Sequence, residues 1–244
     1  MVLSIDIGNS YIGMGLFKDD QITDRRTITT PKRMTGFEAK EIIAGYEMEG
    51  IGLASVVPKL TRPFIEAGNE LGIKVVEVSY RSKTNLRFEY HDPSTIGADR
   101  IANAVGGLKS YRSDLIIVDL GTATTFDVVL KEGVYLGGII CPGIESSLEA
   151  LVENAALIPQ IELKLPERII GRNTAECIRS GIIFTTIGQI SEIVGRIRKE
   201  HKRDFRVIAT GGWGGEIKEL SDLIDDYDAD LTLKGIHEIY HLNQ

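Results

Sequence analysis

The chain has 244 residues, of which 43% are hydrophobic and 26% charged, and it carries a formal net charge of −7. This length predicts one large domain or two of about 120 residues each, and the acidic balance argues against general binding to nucleic acid or anionic membranes. The apolar start of the chain lacks basic residues and is interrupted by Asp6, and no apolar run reaches transmembrane length. We therefore expect a cytoplasmic protein without a signal sequence. Cys141 and Cys177 lie far apart in the sequence and are predicted to be reduced thiols in the core.

The first part of the chain predicts mixed α/β structure with helices packed on sheets. We expect an antiparallel meander of strands at residues 2–6, 13–17 and 22–29. The pattern then predicts a helix at 36–47, a strand at 51–57 that Pro58 ends, a helix at 63–71 and a strand at 73–78. Residues 79–92 are polar and basic and predict no element.

A helix predicted at residues 99–111 begins with a candidate catalytic residue. Pro93 interrupts the chain before it, and Gly97 precedes its first turn. Asp99 has two interpretations. In the first, it is a capping residue or a partner of the helix dipole, as an acidic residue in a first helical turn ordinarily is. In the second, Asp99 is a general base and Arg100 binds an anionic or hydroxylated substrate. The local sequence does not decide between them.

Residues 119–127 carry more polar groups than a tight turn needs. An apolar strand at 115–118 leads into Asp119, Gly121 and three threonines before a second strand at 126–130. We predict a turn that presents a carboxylate, a glycine and hydroxyl groups to a ligand. Because threonine also favours strands, an ordinary hairpin turn is the alternative.

A second copy of this pattern lies near the start of the chain. Asp6, Gly8, Asn9 and Ser10 separate two apolar strands, as Asp119 and its neighbours do. The repeat predicts two duplicated halves, residues 1–113 and 114–244. Two such turns facing each other across a cleft would suit a polyphosphate, because glycine admits phosphate to the backbone and carboxylates bind its cations.

The remaining chain predicts a strand at 133–140, a turn through Cys141, Pro142 and Gly143, and a helix at 145–154. A loop at 157–173, marked by Pro159, precedes a long helix at 174–199 whose apolar face suits a packing spine or a dimer interface. A strand at 205–209 runs into the glycine-rich segment 210–215, followed by a helix at 216–223. Such a segment suits a flat ligand such as adenine or ribose, although the sequence contains no Walker motif.

One motif points to different chemistry. His237, Glu238 and His241 match H-E-x-x-H, the zinc-peptidase pattern, but no third ligand is evident upstream. We predict a terminal helix with solvated histidines and keep a zinc hydrolase as an alternative function.

Five motifs together resemble the type III pantothenate kinases. They read Asp-Ile-Gly-Asn-Ser from residue 6, Gly-Ala-Asp-Arg from 97, Asp-Leu-Gly-Thr-Ala-Thr-Thr from 119, Tyr-Leu-Gly-Gly from 135 with Pro142-Gly143, and Thr-Gly-Gly from 210. Their order and spacing cover essentially the whole chain. The resemblance implies the duplicated, ribonuclease H-like α/β fold of the actin/hexokinase/Hsp70 superfamily, with two halves around a nucleotide cleft. It also implies ATP-dependent phosphorylation of pantothenate to 4′-phosphopantothenate, the first step of coenzyme A biosynthesis.

The resemblance assigns roles residue by residue. Asp99 corresponds to the proton acceptor, Asp119 to the ligand of a monovalent cation, K⁺ or NH₄⁺, and Asp6 directs Mg²⁺ through water. The implied ATP-binding residues are Asp6, Ile7, Gly8, Asn9, Ser10, Tyr11, Ile12, Gly13 and Thr122. The implied substrate-binding residues are Tyr90, Gly97, Ala98, Asp99, Arg100 and Thr174.

Two features depart from the family pattern, and one alternative function shares the fold. Ser10 stands where the family usually has threonine and retains the hydroxyl, while residues 79–90 match only loosely, which weakens the assignment of Tyr90. The family is dimeric, so we expect a homodimer whose substrate pocket is completed near the subunit interface. A non-catalytic nucleotide-binding regulator is the alternative. The presence of Asp6, Asp99 and Asp119 together favours the kinase.

Overall fold

A computed structural model describes residues 1–155, 158 and 160–244. The strands are β1 Val2–Ile7, β2 Tyr11–Lys18, β3 Gln21–Thr29, β4 Gly50–Ser55, β5 Lys74–Glu77, β6 Arg87–Phe88, β7 Leu115–Leu120, β8 Ala123–Leu130, β9 Val134–Pro142, β10 Arg206–Thr210 and β11 Asp226–Tyr227. The helices are α1 Gly36–Ile43, α2 Pro58–Glu70, α3 Ala98–Tyr111, α4 Ile144–Asn154, α5 Thr174–His201, α6 Gly214–Glu219 and α7 Leu231–Leu242, with a short 3₁₀ turn at Pro93–Thr95.

The chain forms two compact units. Unit 1 comprises Met1–Arg112, Lys131–Leu136 and Asp230–Gln244, and unit 2 comprises Ser113–Leu130 and Gly137–Ala229. The division into two ribonuclease H-like halves at 1–113 and 114–244 stays a prediction.

Unit 1 is built on a five-stranded sheet in the order β3-β2-β1-β4-β5. The strands β1, β2 and β3 pair antiparallel, which confirms the predicted meander, while β4 pairs parallel to β1. One face of the sheet packs on α1 and α2 through a cluster that includes Leu3, Ile5 and Phe64. Since side chains alternate along a strand, Asp6 lies on the opposite face, with Val2 and Ser4. Val2 packs there against Tyr240 of α7.

The helix α7 lies close to both the sheet and α3. A β-carbon at Gly50 or Gly52 of β4 would overlap Tyr240 or Ile236 of α7, so the absence of side chains there admits the helix. At the crossing with α3, a β-carbon on Gly235 would overlap the carbonyl group of Ala102. Glycine therefore allows backbone-to-backbone contact between α7 and α3.

Unit 2 contains the sheet β11-β10-β7-β8-β9, in which β7 and β8 form an antiparallel hairpin and β10 pairs parallel to β7. The apolar run Leu115, Ile116, Ile117 and Val118 is completely buried, as predicted for a central strand. The carboxyl ends of β7 and β10 meet at one edge, where Asp119 pairs with Thr210.

Several predicted element boundaries differ from the structure. Helix α1 ends at Ile43, four residues before the predicted end at 47, and α6 ends at Glu219 rather than at 223. Pro58 begins α2 instead of only ending β4, because proline is well suited to the first turn of a helix. The long helix α5 begins at Thr174 as predicted and continues to His201.

Other predictions concern side-chain burial and local order. The prediction of two core thiols is wrong, since Cys177 is exposed and Cys141 only half-buried. Part of the predicted loop at 157–173 lies outside the described residues, including Leu157 and Pro159. In the stretch 79–92, for which no element was predicted, β6 pairs parallel to the first residues of β9. Among the described helices, none has an apolar stretch that would reach across a membrane.

Candidate active site

The candidate phosphate turn of unit 1 joins β1 to β2. The amide of Gly8 donates to the carbonyl oxygen of Tyr11 over 2.9 Å, which closes the turn. Thr30 supports it twice, because its hydroxyl donates to the Gly8 carbonyl at 2.7 Å and its amide to the Ser10 carbonyl at 2.9 Å. Thr30 was not predicted from the sequence, although its position directly after β3 places it beside the turn in the β2–β3 register.

Side chains in this turn divide into two groups. Ile7 and Ile12 are completely buried, so they offer a ligand only their backbone groups. Asn9 and Tyr11 are exposed, and Asp6 is half-buried in register with Gly13 of β2. The turn therefore presents a carboxylate, an amide side chain and backbone groups, which suit a phosphate and its cation.

Asp99 lies in the first turn of α3, which begins directly after Gly97. Its Oδ1 accepts a hydrogen bond of 2.8 Å from the Arg100 amide, a local contact of the kind that the capping interpretation predicts. However, Asp99 is half-buried, and the partial burial of its carboxyl group raises the pKa of Asp99 above its ordinary value of 3.8. A raised pKa at a helix start is unusual for a capping residue and is typical of a catalytic carboxyl group.

The start of α3 lies at the same edge of the sheet as the phosphate turn. The amide of Val56, just after β4, donates to the carbonyl of Ile7 at the end of β1 over 3.0 Å. The Val56 side chain in turn lies 3.5 Å from the position of a β-carbon on Gly97. Val56 thus connects the end of the Asp6 strand to the first residues of α3 within unit 1.

The other predicted substrate residues of unit 1 vary in exposure. Ala98 and Arg100 are buried, whereas Tyr90 is 37% exposed. The ring of Tyr90 lies edge-on to the buried ring of Tyr135 at a centroid distance of 6.3 Å. Tyr90 is therefore held at the surface by an aromatic contact, in a stretch for which the sequence predicted no element.

In unit 2, Asp119 lies against two glycines. A β-carbon on Gly211 would come within 2.6 Å of Asp119 Oδ1, and one on Gly121 would lie 3.6 Å from the same oxygen. Gly211 also has a φ of +84°, a conformation that side-chain-bearing residues rarely adopt. The structure thus brings together Asp119 and the glycine-rich segment that the sequence associated with nucleotide binding.

The turn between β7 and β8 is tighter than predicted. Strand β7 continues to Leu120 and β8 begins at Ala123, so only Gly121 and Thr122 form the turn. The prediction that three threonine hydroxyls lie in the turn is wrong, because Thr124 and Thr125 belong to β8. Their strand propensity and the pairing with β7 extend the hairpin through them.

The start of α4 packs on this turn. A β-carbon on Gly143, the residue before α4, would overlap the carbonyl oxygens of Gly121 and Thr122. The hydroxyl of Ser146 donates to the Thr122 carbonyl at 2.8 Å. The indole Nε1 of Trp213 donates to Glu145 Oε1 at 3.4 Å. Neither Glu145 nor Trp213 was singled out from the sequence, because their meeting depends on contacts between distant segments.

Thr174 is the first residue of α5 and is exposed. The side chain of Asn173 caps this helix by accepting the Glu176 amide at 3.0 Å. A hydroxyl at such a fixed helix start is available to a substrate.

The H-E-x-x-H motif has a structural role in unit 1. The prediction of solvated histidines is wrong for His237, which is 3% exposed and stacked on Phe17 at a centroid distance of 4.2 Å. Burial lowers the pKa of His237 to about 4. Glu238 forms an ion pair of 2.6 Å with Lys109 of α3.

The described residues contain no group of three or more His, Cys, Asp or Glu arranged to hold a metal ion. A cation at Asp6 or Asp119 would therefore combine one carboxylate with backbone oxygens, water or ligand phosphates. Such mixed oxygen coordination is common for Mg²⁺ in phosphoryl-transfer enzymes.

Comparison with solved structures shows which fold the protein has. It is similar to a Campylobacter jejuni protein described as a Baf family transcriptional activator, with 19% identity, a TM-score of 0.64 and coverage of 99% of this chain and 98% of the other. It is also similar to a 2-dehydro-3-deoxygalactonokinase protein of Sinorhizobium meliloti, with 13% identity, a TM-score of 0.59 and coverage of 98% of both chains. A ROK hexokinase of Thermus thermophilus has 16% identity and a TM-score of 0.51, over 99% of this chain and 98% of the other. The fold is that of the actin/hexokinase/Hsp70-like superfamily, as predicted.

Within this class the family is also established. The family model for type III pantothenate kinase matches residues 2–196, and the chain belongs to this family. It is a kinase that phosphorylates pantothenate in coenzyme A biosynthesis, which confirms the function predicted from the sequence motifs.

Proposed function

We propose that this kinase transfers the γ-phosphoryl group of ATP in line to the primary hydroxyl of pantothenate, with Asp99 accepting the hydroxyl proton. The observation that carries the proposal is the half-buried carboxyl of Asp99 at the start of α3, whose pKa is raised by burial. A carboxylate with a raised pKa is a stronger base than an ordinary aspartate. Phosphoryl transfer needs mainly alignment and charge compensation, so one modest base is sufficient.

ATP is proposed to bind to residues 6–13 in unit 1 and to Thr122 in unit 2. Support comes from the closed backbone turn at Gly8, the two hydrogen bonds that Thr30 donates to this turn, and the contact of Ser146 with the Thr122 carbonyl. Because Ile7 and Ile12 are buried, only their backbone groups are assigned to the nucleotide.

Two cations are proposed to assist. Asp6 is positioned for Mg²⁺ through water, and Asp119 for K⁺ or NH₄⁺. The support is the oxygen chemistry of both carboxylates, which hard cations prefer. When bound, these ions would offset the negative charge that develops on the phosphoryl oxygens. The residues that bind ATP and pantothenate would hold the transferred phosphoryl group in a fixed position relative to these cations.

Pantothenate is proposed to bind along Gly97, Ala98, Asp99 and Arg100, with Tyr90 and Thr174 as further contacts. Buried Arg100 supplies positive charge beside the base, which suits a carboxylate-bearing substrate. The rings of Tyr90 and Tyr135 add an apolar side that suits the aliphatic part of the molecule.

We also propose a cytoplasmic homodimer whose substrate pocket is completed near the subunit interface. The support in unit 2 is a face of α5 that exposes Gly181, Gly188 and Gly195, with no atoms within 4 Å of a β-carbon at any of the three. Nearby elements of the same unit expose Ile140 and Ile170, at 64% and 77%. Small residues on a helix permit a second helix to approach closely, and exposed apolar side chains mark interfaces.

The test is a coupled assay of ADP release with and without pantothenate, in K⁺ and in Na⁺ buffers. We expect ADP release that depends on pantothenate and is faster in K⁺. Asp99→Asn should lower kcat by about 10²–10⁴-fold, the range for a lost general base, while ADP affinity changes little. Asp222→Asn, at an exposed position, is the control. A variant at residue 99 with near-full kcat would remove the assignment of the base.

The same assay separates the kinase from the non-catalytic nucleotide-binding regulator. A regulator would bind ADP yet release none from ATP in response to pantothenate under any of these salts. The half-buried carboxyl of Asp99, with its raised pKa, favours the kinase, because nucleotide binding alone does not need a base.

A further inference from the structure

We propose that the indole of Trp213 is the surface on which the nucleobase of ATP stacks, and that Glu145 holds the indole in place. Trp213 is the single tryptophan of the chain and stands in the middle of the glycine-rich segment 211–215. The inference rests on the proposed function, because it takes Thr122 as a nucleotide contact. It adds the residue that binds the base.

The backbone of Trp213 is attached to the strand that leads to Thr122. Its amide donates to the carbonyl of Leu120, the last residue of β7, over 3.3 Å. Leu120 is followed directly by the Gly121–Thr122 turn. Trp213 and the proposed ATP contact are therefore anchored on the same short stretch of unit 2.

The side chain is attached to the helix that packs on the same turn. Glu145 Oε1 accepts the indole Nε1 proton at 3.4 Å, and the adjacent Ser146 donates to the Thr122 carbonyl at 2.8 Å. Two consecutive residues of α4 thus contact the indole edge and the Gly121–Thr122 turn. The first turn of α4 therefore sets the position of the indole relative to Thr122.

The surroundings of Trp213 fit a binding surface better than a core position. Unit 2 buries Phe126 and Phe205 almost completely, whereas Trp213 stays partly exposed. The preceding Gly212 is exposed, and a β-carbon on it would meet no atom within 4 Å outside its chain neighbours, so the backbone next to Trp213 lies at the surface. A partly exposed aromatic ring with one polar edge anchored suits stacking with a flat heterocycle.

The single tryptophan allows a direct test on the unaltered protein. Addition of ADP should quench or shift the Trp213 emission with saturation, whereas pyrophosphate, which has phosphates but no base, should leave it nearly unchanged. Equal responses to ADP and pyrophosphate, or no response to saturating ADP bound by calorimetry, would overturn the inference.

Variants test the stacking surface itself. Trp213→Leu should weaken ADP affinity by about tenfold, which corresponds to about 1.4 kcal/mol, because base stacking on an aromatic is of this order. Trp213→Phe, which keeps an aromatic face, should lose less than about threefold. Pyrophosphate affinity, the KM for pantothenate and the unfolding midpoint should stay close to those of the wild type in both. A Trp213→Leu protein that binds ADP as tightly as the wild type would contradict the proposal.

Glu145 is tested as a positioning residue. Glu145→Ala should weaken ADP affinity and reduce the ADP-induced change in Trp213 emission, and Glu145→Gln, which keeps a side-chain oxygen as acceptor, should restore both. If Gln and Ala behave alike, Glu145 has no such role.

These binding results are independent of turnover. Loss of pantothenate-dependent ADP release would contradict the proposed mechanism while leaving the fluorescence titration interpretable. Normal turnover with no base-specific fluorescence response would contradict only the role of Trp213.

Discussion

The partial burial of the Asp99 carboxylate has a cost in stability that can be measured. Because burial raises its folded-state pKa above the ordinary value of 3.8, stability associated with the protonated carboxyl is present at low pH and lost as pH rises through the folded-state pKa. We expect the unfolding midpoint of Asp99→Asn to exceed that of the wild type at neutral pH. This difference should shrink toward pH 4, and Asp222→Asn should show no such trend. A midpoint difference independent of pH would contradict the raised pKa.

Asp119 has a different expected signature, in the response to salt. If its carboxylate holds the monovalent cation, Asp119→Ala should lose the rate advantage of K⁺ over Na⁺, while ATP still supports a residual rate. The assay is kcat/KM across K⁺ concentrations at constant ionic strength, with Asp222→Asn as control. Unchanged K⁺ dependence in the alanine variant would move the cation site elsewhere.

His237 makes unit 1 sensitive to acid. Its folded-state pKa of about 4 lies below the ordinary 6.5, so the neutral ring stabilises the fold above pH 6.5, and this contribution is lost as pH falls toward 4. The loss is on the order of 3 kcal/mol. We expect His237→Phe to flatten the fall of unfolding free energy between pH 7 and pH 4.5, measured in denaturant. His91→Gln, at an exposed position, should follow the wild type; equal slopes for all three proteins would argue against this role.

The burial of His237 could have been predicted from helical spacing rather than from the motif. Ile236, Ile239 and Tyr240 are buried on α7, and His237 lies among them. The H-E-x-x-H pattern describes which side chains share a helix face but not whether that face meets solvent. Here the face meets Phe17, and the partner cannot be read from local sequence.

At the scale of elements, the crossing of α3 and α7 depends on glycine. Gly235→Ala would place a methyl group on the Ala102 carbonyl, so we expect a loss of about 2 kcal/mol or more of unfolding free energy. Gly45→Ala, in an exposed turn where a β-carbon would meet no atom within 4 Å, should change the unfolding free energy by less than about 0.5 kcal/mol. Denaturant unfolding measures both. A Gly235→Ala protein as stable as the Gly45→Ala protein would contradict the close contact.

Most elements were predictable because their apolar periodicity agrees with their environment. The strand at 115–118 and the helix from Thr174 are examples, since the strand buries its whole apolar run and the helix buries most of its apolar face. The errors occur at residue types that are common in two kinds of secondary structure. Pro58 both follows a strand and begins a helix, and Thr124 and Thr125 suit a turn or a strand, which pairing with β7 decides.

At the scale of the whole molecule, the proposed dimer is the principal prediction. We expect sedimentation to give twice the chain mass of 26.9 kDa. Ile170→Asp, at a residue 77% exposed, should weaken association at least about tenfold, because a charge would enter an apolar interface. Leu220→Asp, at a residue 41% exposed, is the matched control. An Ile170→Asp protein that associates like the wild type would exclude this face.

The candidate site was predictable from motifs for the residues that bear charge or glycine, such as Asp6, Asp99 and Asp119. The residues that hold them in place were not. Thr30, Val56 and Glu145 act through contacts between segments far apart in sequence, and ordinary residues at such positions carry no local pattern. Their detection needs the register of the sheet and the packing of the helices.

The position of α7 has a consequence for the order in which the protein matures on the ribosome. Helix α7 covers β4 and α3, yet about 120 residues separate it from α3, and most of these belong to unit 2. Translation proceeds at about 5–20 residues per second, so roughly ten seconds pass between the synthesis of α3 and the synthesis of α7. During that interval Gly50, Gly52 and Ala102 present an uncovered face to other nascent chains. Unit 2 is therefore expected to complete its folding first, and stalled translation just before α7 should produce the most aggregation-prone intermediate.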